Sequence, residues 1–470
     1  MKMKLINLKN ILILPQLTTN LIVFRKYIFV VLSILTVHFH VSAVQIIDSE
    51  VEDGIKKLIT PIFEAAGVQP GDVNFYILLD ENINAFVYKG RNIFISTELI
   101  TSFNDPDVLK GVVAHELGHI HGGHLARRDE KIRELNRQSM IAMGLLGIGA
   151  VLSGNPAAIM GGALGHSHIF DRDFLAYSRS QEAAADQAAV KFLHKSDNSV
   201  IGILKLQEYF TKKEKQIYGE INPYSVTHPL SSNRLASLRI AYNQEPIGMR
   251  SSDEERKIYS RIVAKLRGFL KPVESNSIIY QGDLDSFARQ YEDAISYHER
   301  NDEKSAIKTI NKLIDQEPDN GYLYELKGQI LFKAGDVMSA LESYKKAVSY
   351  IKNPITKAEY AVALANSVDF YGNQEKREEV LEEVVVLLES VLASNMKNPY
   401  IYRILATAYG KLGDLGYTNS MLAEEALLQQ KYEDANRFAK IAKKHSKNRT
   451  RLKIKIEDIM SEVRNLDIKK

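Results

Sequence analysis

Two histidines four residues apart bracket a glutamate in His115-Glu116-Leu117-Gly118-His119. On a helix that spacing stands both imidazoles on one face, about 6 Å apart, within reach of one tetrahedral metal. Glu116 falls at the edge of the same face, where its carboxylate can take a proton from a water at the metal, the general-base step of metal-assisted amide hydrolysis. Leucine or glutamine there would leave a metal site without a base. The chemistry needs a helix, and Asn104-Asp105-Pro106-Asp107 provides a capping residue, an early proline and first-turn acids. Val108, Val112, His115 and His119 then recur at helical spacing. The bland alternative is a surface helix with incidental histidines.

A catalytic zinc needs a third protein ligand and an open position. The metzincin pattern His-Glu-x-x-His-x-x-Gly-x-x-His finds its glycine at Gly122, but its last histidine would stand at Leu125, and His124 is one residue early. The other candidate is Glu182, which shares a face of an alanine-rich helix with Asp186. Glu182 could ligate zinc while Asp186, one turn on, fixes the tautomer of a ligand imidazole. An isolated Glu-x-x-x-Asp is otherwise a solvated helix face.

The run Ala114 to His119 with His124 after it, Ser178-Arg179 ahead of Glu182 and Asp186, Thr227-His228-Pro229 with Arg234, and Asn84-Ala85-Phe86 ahead of a short strand together resemble the HtpX/BepA-type zinc metallopeptidases. Order and spacing agree across residues 84 to 234. The resemblance implies one zinc per chain held by His115, His119 and Glu182, with Asp186 supporting a ligand histidine. It gives His228 a role at the metal, stabilising the oxyanion or filling the fourth zinc position in a latent state, and puts Arg234 beside the site. It makes Asn84, Ala85 and Phe86 the sheet edge on which an extended substrate pairs, where main-chain bonds tolerate many sequences. Without it, His228 is a loop histidine and Arg234 a surface arginine. His121, His166, His168 and His194 match nothing functional.

Several elements must position these groups. Val73 to Leu79 and Phe86 to Ser96 read as strands, the second split by a turn at Lys89-Gly90-Arg91. Most of the rest is helical. Residues 139 to 167 carry no charge, and Gly154-Asn155-Pro156 breaks them into halves too short to span a bilayer, so a buried or interfacial lid over the site is expected. After a helix from Asp253 to Leu270, Lys271-Pro272 marks a boundary. Beyond it Ala306 and Ala340 stand 34 residues apart, the tetratricopeptide period. Tyr297 and Pro318 accompany the first, and Tyr324, Gly328, Gly335, Tyr344 and Ala347 the second. Tyr402, Ala406, Tyr409 and Gly413 match a later first helix, and Ala423 and Ala435 suggest another, giving about four repeats. Such stacked pairs form a concave protein-binding surface.

Residues 1 to 43 read as a signal peptide: no acid, Arg25-Lys26, an apolar run from Tyr27 to Val37, and Val41-Ser42-Ala43 as the cleavage site. That leaves about 427 residues, enough for two or three domains. With no cysteine there is no disulfide or thiolate chemistry, and a net charge of +3 argues against nucleic-acid binding. Lys440 to Lys455 holds eight basic residues and no acid, read as a solvated last helix in preference to a headgroup or acidic-partner patch.

The expected architecture is α+β and mostly helical: a zincin-like metallopeptidase domain with a small β-sheet over 44–272, then an all-α tetratricopeptide-like domain over 273–470. The expected function is a periplasmic zinc endopeptidase acting on unfolded or assembling envelope proteins. Its repeats would bind clients or an outer-membrane assembly machinery, with peripheral membrane contact at 139–167. The rivals are a chaperone or scaffold with a silent zinc site, and a membrane-embedded peptidase of the HtpX kind.

Overall fold

The computed structural model describes residues 45–69, 71–88, 91–124, 179–216, 228–246, 249–271, 284–394, 396–446 and 449–467. The signal-peptide reading of 1–43 and the lid expected over 139–167 lie outside them.

The chain enters through a short strand, β1 (Gln45–Ile46), and a helix, α1 (Ser49–Ala65), capped by Asp48. Then come β2 (Asn74–Leu78), β3 (Ala85–Tyr88) and β4 (Asn92–Ser96). The strands lie in the order β1-β2-β4-β3, with β2 parallel to β4 and the other pairs antiparallel. The split run is therefore a hairpin, and among the described residues β3 is an edge strand. Ile77, Ile93, Ile95 and Ala85 turn inward and are buried, as period-two alternation requires. The parallel pairing and β1 have no counterpart in the sequence reading.

After a short helix, α2 (Thr97–Ser102), α3 (Pro106–His121) carries the His-Glu motif. Its start is the one the sequence signals: the Asp105 side chain accepts from Asp107 N at 3.1 Å, and Pro106 opens the first turn. A helix over 179–195, α4, carries Glu182 and Asp186. It is followed by α5 (Ile201–Gln216), α6 (Ser232–Asn243) and α7 (Asp253–Leu270). Gly118 lets α3 and α4 touch, because a Cβ there would stand 2.6 Å from the Ala185 carbonyl oxygen and 2.9 Å from its Cα.

Ten further helices follow in antiparallel pairs. They are α8 (Ser286–Glu299) with α9 (Glu303–Gln316), α10 (Gly321–Lys333) with α11 (Val337–Tyr350), and α12 (Pro354–Ser367) with α13 (Gln374–Ala393). The last two pairs are α14 (Pro399–Lys411) with α15 (Leu415–Leu428), and α16 (Tyr432–Lys444) with α17 (Thr450–Asp467). This part is tetratricopeptide-like and all-helical, with five pairs among the described residues where the sequence suggested about four repeats. Ala306, Ala340, Ala423 and Ala435 are fully buried where paired helices meet. Asp302, Asp336 and Asp414 cap three of the second helices, and Gly335 takes the left-handed turn ahead of Asp336 with φ 85°.

One apolar cluster runs from Val51 in α1 through the sheet and α3 to Leu323, Leu326 and Ile330 in α10, so the core does not stop at the boundary expected near Lys271. Across the same junction, buried Lys265 of α7 lies 2.9 Å from Asp48, 3.3 Å from Glu50 and 3.9 Å from Glu325 of α10. Tyr291 of α8 donates to Glu50 at 2.7 Å. The basic stretch spans the end of α16 and the start of α17, where one last helix was expected, and its Lys443, Arg449 and Lys455 pair with Glu457, Asp414 and Glu424.

Candidate metal centre

Helices α3 and α4, packed at Gly118, and the residue just ahead of α6 converge on one buried point. His115, His119, Glu182 and His228 each offer a ligand atom, all within 4.8 Å of one another. His115 Nε2 is 3.1 Å from His119 Nε2, 3.3 Å from His228 Nδ1 and 3.2 Å from Glu182 Oε2. Glu182 Oε1 is 3.1 Å from His119 Nε2, and Glu182 Oε2 is 3.2 Å from His228 Nδ1. A tetrahedron with metal–ligand bonds of about 2.0–2.1 Å has edges of about 3.3–3.4 Å, so these separations are close to those of a zinc coordination shell.

The outer nitrogens set the tautomers. His115 Nδ1 lies 2.9 Å from Asp186 Oδ1, and His228 Nε2 lies 3.0 Å from the Ala85 carbonyl oxygen. Both partners are acceptors, so each imidazole holds its proton outward and turns a lone pair to the centre. His119 Nδ1 faces His124 Nδ1 at 3.0 Å. His124 thus stands behind a candidate ligand, on the side away from the cluster. Asp186 is braced by Arg234, whose Nε and Nη2 donate to its two oxygens at 2.6 and 2.9 Å. Arg234 Nη1 also donates to the Pro229 carbonyl at 2.9 Å and lies 3.0 Å from Glu182 Oε2. This buried arginine is no surface residue.

Electrostatics favour a cation here. Burial by itself would lower the His115 pKa, but the hydrogen bonds and charges of Asp186 and Glu182 outweigh it and raise it to about 10. Burial would raise the Asp186 pKa, and Arg234 and His115 instead hold it below its ordinary value. Glu116 is fully buried, and neither of its carboxylate oxygens has a hydrogen-bond partner among the described residues. His228 Nε2 lies 3.4 Å from Oε1, beyond a good hydrogen bond. A buried carboxylate without a partner is costly, and the donor set of three imidazoles and a carboxylate around it fits zinc.

At the sheet, Ala85 belongs to β3 with its side chain buried, Phe86 is half-buried, and Asn84 precedes the strand, its backbone N–H bonded to Ser96 Oγ at 2.9 Å. Sequence reasoning gave no role to Gln181, whose side chain donates to the His124 carbonyl at 3.1 Å. A lone glutamine beside the acidic pair carries no signal that would reveal this.

A His-Glu-x-x-His helix, met by a glutamate from a second helix beside a small mixed sheet, is the arrangement a zinc metallopeptidase would require. Residues 48–241 match the model for Peptidase family M48. Among curated proteins, the beta-barrel assembly-enhancing protease of Escherichia coli (strain K12) is 24% identical over 295 residues, 62% of this chain and 60% of that protein. The putative beta-barrel assembly-enhancing protease of Vibrio cholerae is 26% identical over 269 residues, 53% of this chain and 52% of its own length. The chain thus spans about three fifths or less of the relatives it matches. Among solved structures, the crystal structure of the P58(IPK) TPR domain aligns over 71% of this chain and 100% of its own at 13% identity, with a TM-score of 0.17, too low to define a shared fold.

Proposed function

We propose that the chain is a zinc endopeptidase of the cell envelope, exported to the periplasm by residues 1–43. It acts in quality control or maturation of envelope and outer-membrane proteins. The observation that carries this is the buried quartet of His115, His119, Glu182 and His228 beside a buried Glu116 whose carboxylate has no hydrogen-bond partner among the described residues. His115, His119 and Glu182 would hold the metal. When bound, zinc polarises the scissile carbonyl and acidifies water beside it. Glu116 takes the proton of the attacking water and passes it to the leaving nitrogen. Asp186 keeps His115 oriented, and Arg234 keeps Asp186 in place.

His228 has two positions to serve. With Nδ1 among the ligand atoms it closes the fourth site, a resting, latent arrangement; swung outward, the same ring can donate to the oxyanion. Replacing His228 with alanine should raise peptidase activity if latency dominates and lower it if oxyanion stabilisation dominates. Unchanged rates would remove both roles.

Clients are unfolded or assembling envelope proteins, a reading supported by the names of the relatives. Their extended segments pair with the open edge at Asn84, Ala85 and Phe86, and the repeats bind clients or an assembly machinery. A second reading, a scaffold with a silent zinc, gains support from the fourth protein ligand at His228, since structural zinc sites close with four. Glu116 opposes it, because such a site has no use for a buried base. Among the described residues no helix is long and apolar enough to cross a membrane. The test is capture: Glu116→Gln purified from cells should retain clients that mass spectrometry identifies and that wild type releases. Identical partners with and without the substitution would mean a scaffold.

A further inference from the structure

The outer face of the sheet carries three aromatic rings in a row across its strands. Alternation sends Ile77, Ile93, Ile95 and Ala85 to the core, and Tyr76, Phe94 and Phe86 to the other side, where each is only half-buried. Tyr76 stacks on Phe94 with centroids 5.0 Å apart, and Phe94 on Phe86 at 5.2 Å, each pair inclined by 19°. That is close to the spacing of neighbouring strands, about 4.8 Å. The ladder ends at Phe86, on the edge strand, so its next rung lies one strand further out.

Register fixes what an added strand would present there. Ser96 N donates to Asn84 O at 2.9 Å, and Phe86 pairs with Phe94, so Asn84, Phe86 and Tyr88 turn their backbone groups toward β4. Ala85 and Val87 turn theirs to the other edge, where no strand pairs among the described residues. A chain pairing antiparallel with β3 therefore bonds to Ala85 and Val87. The residue facing Phe86 then falls in a non-hydrogen-bonded pair, the geometry in which cross-strand side chains approach most closely. The Ala85 carbonyl also lies 3.0 Å from His228 Nε2, which places this rung beside the metal centre.

We propose that Phe86, backed by Phe94 and Tyr76, determines specificity by selecting an aromatic side chain close to the cleaved bond in an extended substrate strand. This rests on the peptidase reading and names the substrate class for that site: unfolded segments with an aromatic residue facing outward from the sheet. Pairing of backbone alone tolerates any sequence; the ladder adds a preference of about three- to tenfold, the range of one aromatic pair.

The test uses the full zinc-loaded chain carrying Glu116→Gln and two fluorescent peptides of serine, threonine and alanine that differ by a single phenylalanine or alanine. Fluorescence anisotropy should show the phenylalanine peptide binding about three- to tenfold tighter. Adding Phe86→Ala should erase the difference, and Phe86→Tyr should keep it. Phe86→Leu preserves apolar bulk, guards against a folding failure, and should lose most of the discrimination. Equal affinities or no binding in the parent, or a preference that survives both Phe86→Ala and Phe86→Leu, overturns the proposal. Digestion by the otherwise wild-type chain separates it from the peptidase reading. Cleavage with no favoured spacing from aromatic residues sinks the ladder alone, whereas no cleavage, with the binding preference intact, sinks the peptidase alone.

Discussion

Replacing Glu116 with glutamine leaves every ligand atom in place and removes only the base, so the variant should keep about one zinc per chain by metal analysis while proteolysis is lost. Undiminished cleavage would take Glu116 out of its role. Glu182→Ala and His124→Ala discriminate the two candidates for third ligand. Glu182 meets His115, His119 and His228 at 3.1–3.3 Å, so its loss should release the metal. His124 faces the outer nitrogen of His119, so its loss should weaken binding by about 10–100-fold, as groups behind a ligand do. If only the His124 variant sheds zinc, the assignment is wrong. The two histidines and Glu116 were legible because a four-residue spacing on a helix fixes their geometry. His124 was not, since the Gly122-Gly123 turn after α3 decides which nitrogen of His119 it meets, and spacing alone does not encode a turn.

The helix pair α3 and α4 holds the centre through the gap at Gly118. Gly118→Ala would push a Cβ against the Ala185 backbone and displace the helix that carries Glu182 and Asp186. Zinc affinity should fall by more than about tenfold, with helical circular dichroism nearly unchanged. Normal affinity would show that the contact is slack. The strands themselves were legible from alternation, because one face is buried. Their order was not: β1 contributes two residues, and parallel pairing of β2 with β4 depends on contacts distant in sequence. The repeats faded for a related reason. Successive second helices begin at 303, 337, 374 and 415, so the 34-residue period holds once and then stretches around a 3-10 turn at Val368–Phe370 and the twenty-residue α13.

Across the whole molecule, the apolar core and the buried Lys265 cluster join the peptidase helices to the first repeats. Lys265→Met would strand the Asp48, Glu50 and Glu325 carboxylates without their cation, and should cost about 3–5 kcal/mol in unfolding free energy by urea denaturation. A loss under about 1 kcal/mol would mean that these acids are satisfied otherwise. The hydrogen bond from His228 to the Ala85 carbonyl has a further consequence, because that oxygen is one an arriving strand also needs. On the proposed latent reading, leaving that arrangement with no strand present would abandon a buried acceptor, a cost of about 1–3 kcal/mol that would keep roughly five to a hundred and fifty idle molecules for each open one. When a chain reaches Ala85, one donor replaces another and that cost vanishes. If the proposed latency holds, no separate messenger is needed to wake the molecule: an unfolded backbone long enough to reach that oxygen would be both key and cargo, and a folded protein, with its amides already engaged, would be neither.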